Sequence, residues 1–214
     1  MKIGILGSGV VGQALANGFI KHGNDVMVGT RDLNKLSDWA QKAGKRGHVG
    51  SFTEAAAFGE MVVLAVKGSA AQDVLNAAGA MNLNGKVVLD TTNPISDAPP
   101  HNGVISLFTT SEKSLMEDLQ SVFPQVKFVK TFNCIGSAHM VNPNFGRIKP
   151  SMFICGNDTQ AKEEIGKIVE KFGFEVEDVG GVTSARALEP LCMLWCLPGF
   201  LHNDWNHAFK FLRK

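Results

Sequence analysis

No tyrosine occurs anywhere in the 214 residues. A Tyr-x-x-x-Lys couple, the proton donor of one large class of nicotinamide reductases, therefore cannot exist in this chain. Charge is scarce too. Asp, Glu, Lys and Arg make up 19% of the residues and leave a net charge of +1, against the usual quarter for soluble chains. The low share points to surface covered by a subunit partner. The lysines are dispersed among acids, so the basic stripe of a nucleic-acid binder is missing. No apolar run is long enough to span a membrane. Lys2 already stands in the first apolar run, so no leader segment is expected and the cytoplasm is the expected compartment. The four cysteines, Cys134, Cys155, Cys192 and Cys196, lie in or beside apolar segments. Without export features they are expected as buried thiols rather than disulfides. Cys192 and Cys196 are spaced by one helical turn, but only His202 and His207 lie near them and no zinc-ligand spacing results. No metal site is expected.

What the chain does have is a glycine signature at its start. Lys2-Ile3-Gly4-Ile5-Leu6 is a short apolar run, followed at once by Gly7-Ser8-Gly9-Val10-Val11-Gly12 and an amphipathic stretch from Gln13 to His22. Strand, glycine turn and helix in that order form the setting in which G-x-G-x-x-G holds a dinucleotide. Gly7 permits the tight turn, Gly9 has no Cβ to hold a pyrophosphate away, and Gly12 lets the helix approach the sheet. Backbone N–H groups near Val10 and Val11 then face the pyrophosphate at a helix N-terminus.

The second strand, from Asp25, ends at Gly29-Thr30-Arg31, where an NAD site carries an acid for the ribose. A hydroxyl and a guanidinium stand there instead, and Lys35 follows one helical turn later. This pattern predicts NADP as the cofactor, its 2′-phosphate met by Thr30, Arg31 and Lys35. Asp32 is expected to cap the following helix rather than face the phosphate.

Strand and helix patterns alternate along the rest of the chain. Met61 to Val66 and Lys86 to Asp90 read as central parallel strands, and Lys127 to Phe132 as a further strand. A polar loop of about twenty residues around Pro99-Pro100 separates the last two, a length that is usually functional or mobile. The expected fold class is α/β, a Rossmann-type doubly wound, mostly parallel sheet with a small C-terminal α/β and helical extension. Residues 1–150 are expected as the NADP-binding domain. Residues 151–214 are expected as a smaller unit that forms part of the substrate cleft and a dimer contact. Within it, Thr159 is expected to cap the helix Gln160 to Phe172. Ser184 to Leu197 and Leu201 to Leu212 are expected as helices, with Arg186 pairing Glu189 across one turn.

Ligands of such folds bind beyond the carboxyl ends of the strands. Those ends carry Val66, Lys67, Thr91, Thr92, Asn93 and Asn133. Val66, Lys67, Asn93 and Asn133 are candidate cofactor contacts, Asn133 at the carboxamide or ribose of the nicotinamide. His139, Lys67 and Asn133 are the candidate catalytic groups, the first two as proton donors if the acceptor is a carbonyl or imine. Transfer to a flavin-like ring needs stacking and exclusion of water more than acid–base chemistry.

These motifs resemble those of the NADP oxidoreductases that use coenzyme F420, a family also found as the cytosolic reductase domain of membrane metalloreductases. The resemblance is carried by Ile5 to Gly12, Val28-Gly29-Thr30-Arg31-Asp32, Val63 to Val66, Asp90 to Pro94, Lys130 to Asn133 and Ala185 to Glu189. It implies a reductase in which a second ring, F420, FMN or FAD, lies over the nicotinamide. It also implies pyrophosphate contacts at Ser8, Val10 and Val11, and a homodimer packed through the C-terminal region. Two rivals remain open: an NADPH-dependent reductase of a small carbonyl or imine, and a non-enzymatic NADP sensor.

Overall fold

The computed structural model describes residues 1–214. Six strands build the main sheet: β1 Lys2–Leu6, β2 Asp25–Gly29, β3 Gly47–Gly50, β4 Met61–Leu64, β5 Val87–Asp90 and β6 Lys127–Lys130. All neighbours run parallel, in the order β3-β2-β1-β4-β5-β6. The direction of winding reverses between β1 and β4, which opens a crevice at their carboxyl ends. The expected doubly wound parallel sheet is present.

Helices cover both faces because the strands are apolar on both. One face packs around Ile3, Ile5, Phe19, Val63 and Leu89, the other around Leu6, Val62, Leu64, Leu75 and Phe128. The helices of this unit are α1 Val10–Lys21, α2 Ser37–Ala43, α3 Phe52–Phe58, α4 Ala71–Ala78, α5 Ala80–Leu83 and α6 Leu115–Val122. Asp32 caps the 3-10 turn Leu33–Leu36 that leads into α2, accepting from Asn34 N at 3.1 Å. Both α3 and α6 begin with reciprocal serine–glutamate caps, Ser51 with Glu54 and Ser114 with Glu117. The segment between β5 and α6 is a folded excursion, tied by antiparallel bridges Ile95↔Leu107, His101↔Val104 and Thr110↔Lys113.

The remaining chain forms β7 Ser151–Ile154, α7 Thr159–Lys171, β8 Glu175–Asp178 and α8 Ala185–His202. β7 and β8 pair in parallel as a separate ribbon, and Cys155 bridges back to Lys130. Phe172 packs edge-on to Phe19 with centroids 5.1 Å apart, and Phe174 stands 5.7 Å from Phe132. This unit therefore shares one continuous core with β1 and α1.

Several local expectations are corrected. Asp158, not Thr159, caps α7, accepting from Ala161 N at 2.8 Å. Arg186 does not pair with Glu189; it forks onto Glu117, with Nη2 2.7 Å from Oε1, while Glu189 is buried against Lys130. α8 runs through Pro190 and Pro198 to His202, longer than expected. Leu201 to Leu212 is not a further helix. Asn203 takes the left-handed conformation at φ 53° and ends α8. The tail then runs beside β7, where Ser151 N donates to Phe209 O at 2.9 Å and Phe211 N donates to Ser151 Oγ at 3.1 Å.

Candidate functional site

A cavity of about 690 Å³ lies over the crevice between β1 and β4. Its floor is Gly7, Ser8, Gly9, Val10 and Val11, and one wall is Thr30, Arg31, Asp32 and Lys35. The opposite wall comes from Phe52, Asp73, Val74 and Ala77, and the far end from Ala65, Val66, Lys67 and Thr91. Sequence segments as far apart as Gly7 and Thr91 thus converge where the strand order reverses.

The three motif glycines have different reasons to be glycine. A Cβ on Gly7, at φ 133°, would stand 2.1 Å from the Ala65 carbonyl oxygen, and one on Gly12 would stand 2.1 Å from the Gly7 oxygen. Gly7 and Gly12 are therefore demanded by the fold itself. A Cβ on Gly9 would meet nothing within 4 Å, and the Gly9 backbone is extended, a shape any residue adopts. The empty space above Gly9 is the space a ligand would fill. Gly9 is the N-cap of α1 and no side chain caps that helix. Its first N–H groups and its dipole are left for an anion.

Thr30, Arg31 and Lys35 all line one side of the cavity. Thr30 is buried and its Oγ1 donates to Ser8 Oγ at 3.2 Å, joining the wall to the glycine turn. Asp32 accepts from Asn34 N and from no cation. Arg31 and Lys35 line the cavity, are exposed and make no ion pair. Two unpaired cations beside a helix N-terminus are groups whose charge attracts anions.

Asn93 and Asn133, which are not among the residues lining the cavity, clasp each other. Asn93 Nδ2 donates to Asn133 O at 2.6 Å, and Asn133 Nδ2 donates to Asn93 Oδ1 at 3.0 Å and to Leu188 O at 2.8 Å. Asn133 Oδ1 is buried with no donor. Phe132, just before it, holds φ at 56°, a strained state for a bulky residue that persists only where its surroundings enforce it. Neither proton-donor candidate is poised. Lys67 lines the cavity but is exposed and pairs with Asp97 at 3.4 Å. His139 Nε2 lies 3.1 Å from Asn206 Oδ1, its ring stands 5.2 Å from Phe145, and it does not line the cavity.

Beneath the asparagines lies a feature that sequence reading missed. Lys130, fully buried, stands 2.7 Å from Asp90 Oδ2 and 3.2 Å from Glu189 Oε1. Burial works against the ammonium, but Asp90 and then Glu189 outweigh it and hold its pKa above the ordinary lysine value. Burial also pushes the Glu189 carboxyl upward, against the pull of Lys130 and of the Met116 and Leu115 amides. The signal was present as three ionisable residues inside the apolar segments KFVKTF, VVLD and ALEPLC. The thiols of Cys134, Cys155 and Cys192 are pushed up to about 12 by burial. They are inert at neutral pH, and no cluster of potential metal ligands exists.

A family model described as NADP oxidoreductase, coenzyme F420-dependent, matches residues 2–94. A chain from Arthrobacter sp. FB24 assigned as an F420-dependent NADP-reductase is 34% identical, with a TM-score of 0.92 over 100% of both chains. Metalloreductase STEAP3 of Rattus norvegicus is 29% identical over 94% of this chain and 39% of its own length. The chain thus spans well under half of that metalloreductase. A reductive aminase of Aspergillus terreus in complex with NADPH shares the fold at 17% identity, with a TM-score of 0.68 over 94% of this chain and 62% of the aminase. No helix is long and apolar enough to cross a membrane.

Proposed function

Because the chain belongs to the family of coenzyme F420-dependent NADP oxidoreductases, we propose that it passes a hydride between NADP(H) and a flavin-like ring, F420 or a flavin. The observation that carries the choice of acceptor is the lack of a poised acid. Lys67 faces Asp97 in solvent, and His139 Nε2 lies against Asn206 Oδ1. A carbonyl or imine needs a proton donor at the reacting atom, whereas a flavin-like ring needs close stacking.

The residues present fit the cofactor. The space above Gly9 admits a pyrophosphate against the free amides of Val10 and Val11, with Ser8 beside them. Thr30, Arg31 and Lys35 take the 2′-phosphate. Val66, Lys67, Asn93 and Asn133 form the nicotinamide end. When bound, the reduced nicotinamide supplies the hydride. Asn93 and Asn133 orient, the apolar Ala65 and Val66 exclude water, and Arg31 and Lys35 hold the phosphate end in place. α8 exposes Leu194, Phe200 and Leu201, which supports a second copy of the chain as partner.

An anaerobic stopped-flow screen tests the acceptor. NADPH oxidation is expected with F420, FMN or FAD and at a far slower rate with small ketones, aldehydes and cyclic imines. Turnover confined to the carbonyl or imine panel would overturn the reading. Gly9→Ala tests the cofactor's path independently. The protein is expected to keep its thermal stability, because the added methyl meets no protein atom. Its NADPH affinity is expected to fall about 10- to 100-fold, the cost of forcing an extra carbon into a filled contact. Isothermal titration beside a melting curve reads both quantities.

A further inference from the structure

We propose that Lys130, Asp90 and Glu189 form a buried positioning unit that sets where Asn93 and Asn133 stand at the nicotinamide end of the cleft. The inference rests on the NADP(H) reading above and concerns side chains outside the cavity. Asp90 and Lys130 are the last residues of β5 and β6 and are register partners. Each is followed, three residues on, by one member of the asparagine pair.

The unit grips the intervening backbone from two sides. Asp90 Oδ1 accepts from Thr92 N at 2.8 Å and from Thr92 Oγ1 at 2.6 Å, and Lys130 Nζ donates to Thr92 O at 2.6 Å. All three polar groups of Thr92 are thereby committed to the ion pair. Glu189 extends the grip to the helices. Its two oxygens accept from Leu115 N and Met116 N, each at 2.9 Å, at the start of α6. The residue before it, Leu188, supplies the carbonyl that holds Asn133 Nδ2. One turn of α8 therefore fixes Asn133 through Leu188 and Lys130 through Glu189.

The charges balance locally. One ammonium faces two carboxylates, and the amides and dipole at the N-terminus of α6 offset the second negative charge. A buried ion pair is a poor way to gain stability, since apolar residues of similar volume hold a sheet as well or better. What it gives that apolar contacts do not is direction. Here that direction is spent on the Thr92 peptide and on a strand end already strained at Phe132.

The test separates the two halves of the cofactor. Glu189→Gln and Thr92→Val are titrated with 2′,5′-ADP, which carries the 2′-phosphate but no nicotinamide, and with NADPH. Thr92→Val keeps all three charges and breaks one link to the turn, so a result is available even if Glu189→Gln misfolds. Affinity for 2′,5′-ADP is expected to stay within about twofold of the wild type, and the preference for NADPH over 2′,5′-ADP to shrink about tenfold, roughly one lost hydrogen bond. If both ligands weaken together, or neither does, the unit is merely a structural staple and the proposal is overturned. If the wild type binds neither ligand, the cofactor reading itself fails and takes the proposal with it.

Discussion

Arg31→Ala is expected to weaken NADPH binding by about 10- to 100-fold and to leave NADH binding within about twofold of the wild type. The 2′-phosphate is the only chemical difference between the two ligands, so the ratio isolates one contact. Arg31 makes no ion pair in the protein, and its removal leaves no buried partner stranded. The loss is then the charge-assisted bond itself rather than a secondary rearrangement. Arg31 lies in solvent, and added salt is expected to narrow the gap between the two ligands, because screening shortens the reach of exposed charges. Lys35→Ala is the smaller partner of this change, since an ammonium meets phosphate as a point charge without the fork of a guanidinium. Titration of both ligands at low and high salt checks the claim. Equal affinities for NADPH and NADH in the wild type would remove it.

Much of this end of the cleft was legible in the sequence because its determinants are local. The glycine turn is read from six consecutive residues, Gly7 to Gly12, although the Ala65 oxygen that excludes a Cβ on Gly7 lies far along the chain. Gly29-Thr30-Arg31 follows a strand whose apolar pattern is unambiguous, and the parallel pairing of β1 with β2 brings the two segments together. The far end was less legible because its contacts cross long stretches of chain. Asn93 meets Asn133, and Glu189 meets Leu115 and Met116, across separations of 40, 74 and 73 residues. No spacing rule encodes such partners. Arg186 and Glu189 illustrate the failure: their spacing fits a pair on one helix face, yet each bonds a different tertiary partner. The tail misled for a related reason. Leu201, Trp205, Ala208 and Leu212 recur at helical spacing, but Asn203 ends α8 and the segment finds its hydrogen bonds on Ser151. Leu201 and Leu212 are exposed, so the periodicity marked no buried face, and the backbone partner decides the conformation.

Lys130→Met is expected to destabilise the protein by about 3–5 kcal/mol, the range for removing one member of a buried ionic group. The methionine fills much the same volume, so the loss is electrostatic and not a cavity. Asp90 and Glu189, 0% and 1% exposed, would remain in the core without their cation. Each still accepts hydrogen bonds from Thr92 or from the start of α6, which limits the cost but does not cancel two facing negative charges. Protonating Glu189, whose carboxyl burial already pushes upward, is then the cheapest escape. The variant is expected to recover part of its stability as the pH falls toward the carboxylate range. The wild type gains less there, because Lys130 pulls the Glu189 carboxyl back against the upward push of burial. Urea unfolding across pH 5 to 8 measures both effects. A variant as stable as the wild type at neutral pH would mean that Lys130 carries no charge the fold depends on. The buried trio would then lose its claim to hold the strand ends.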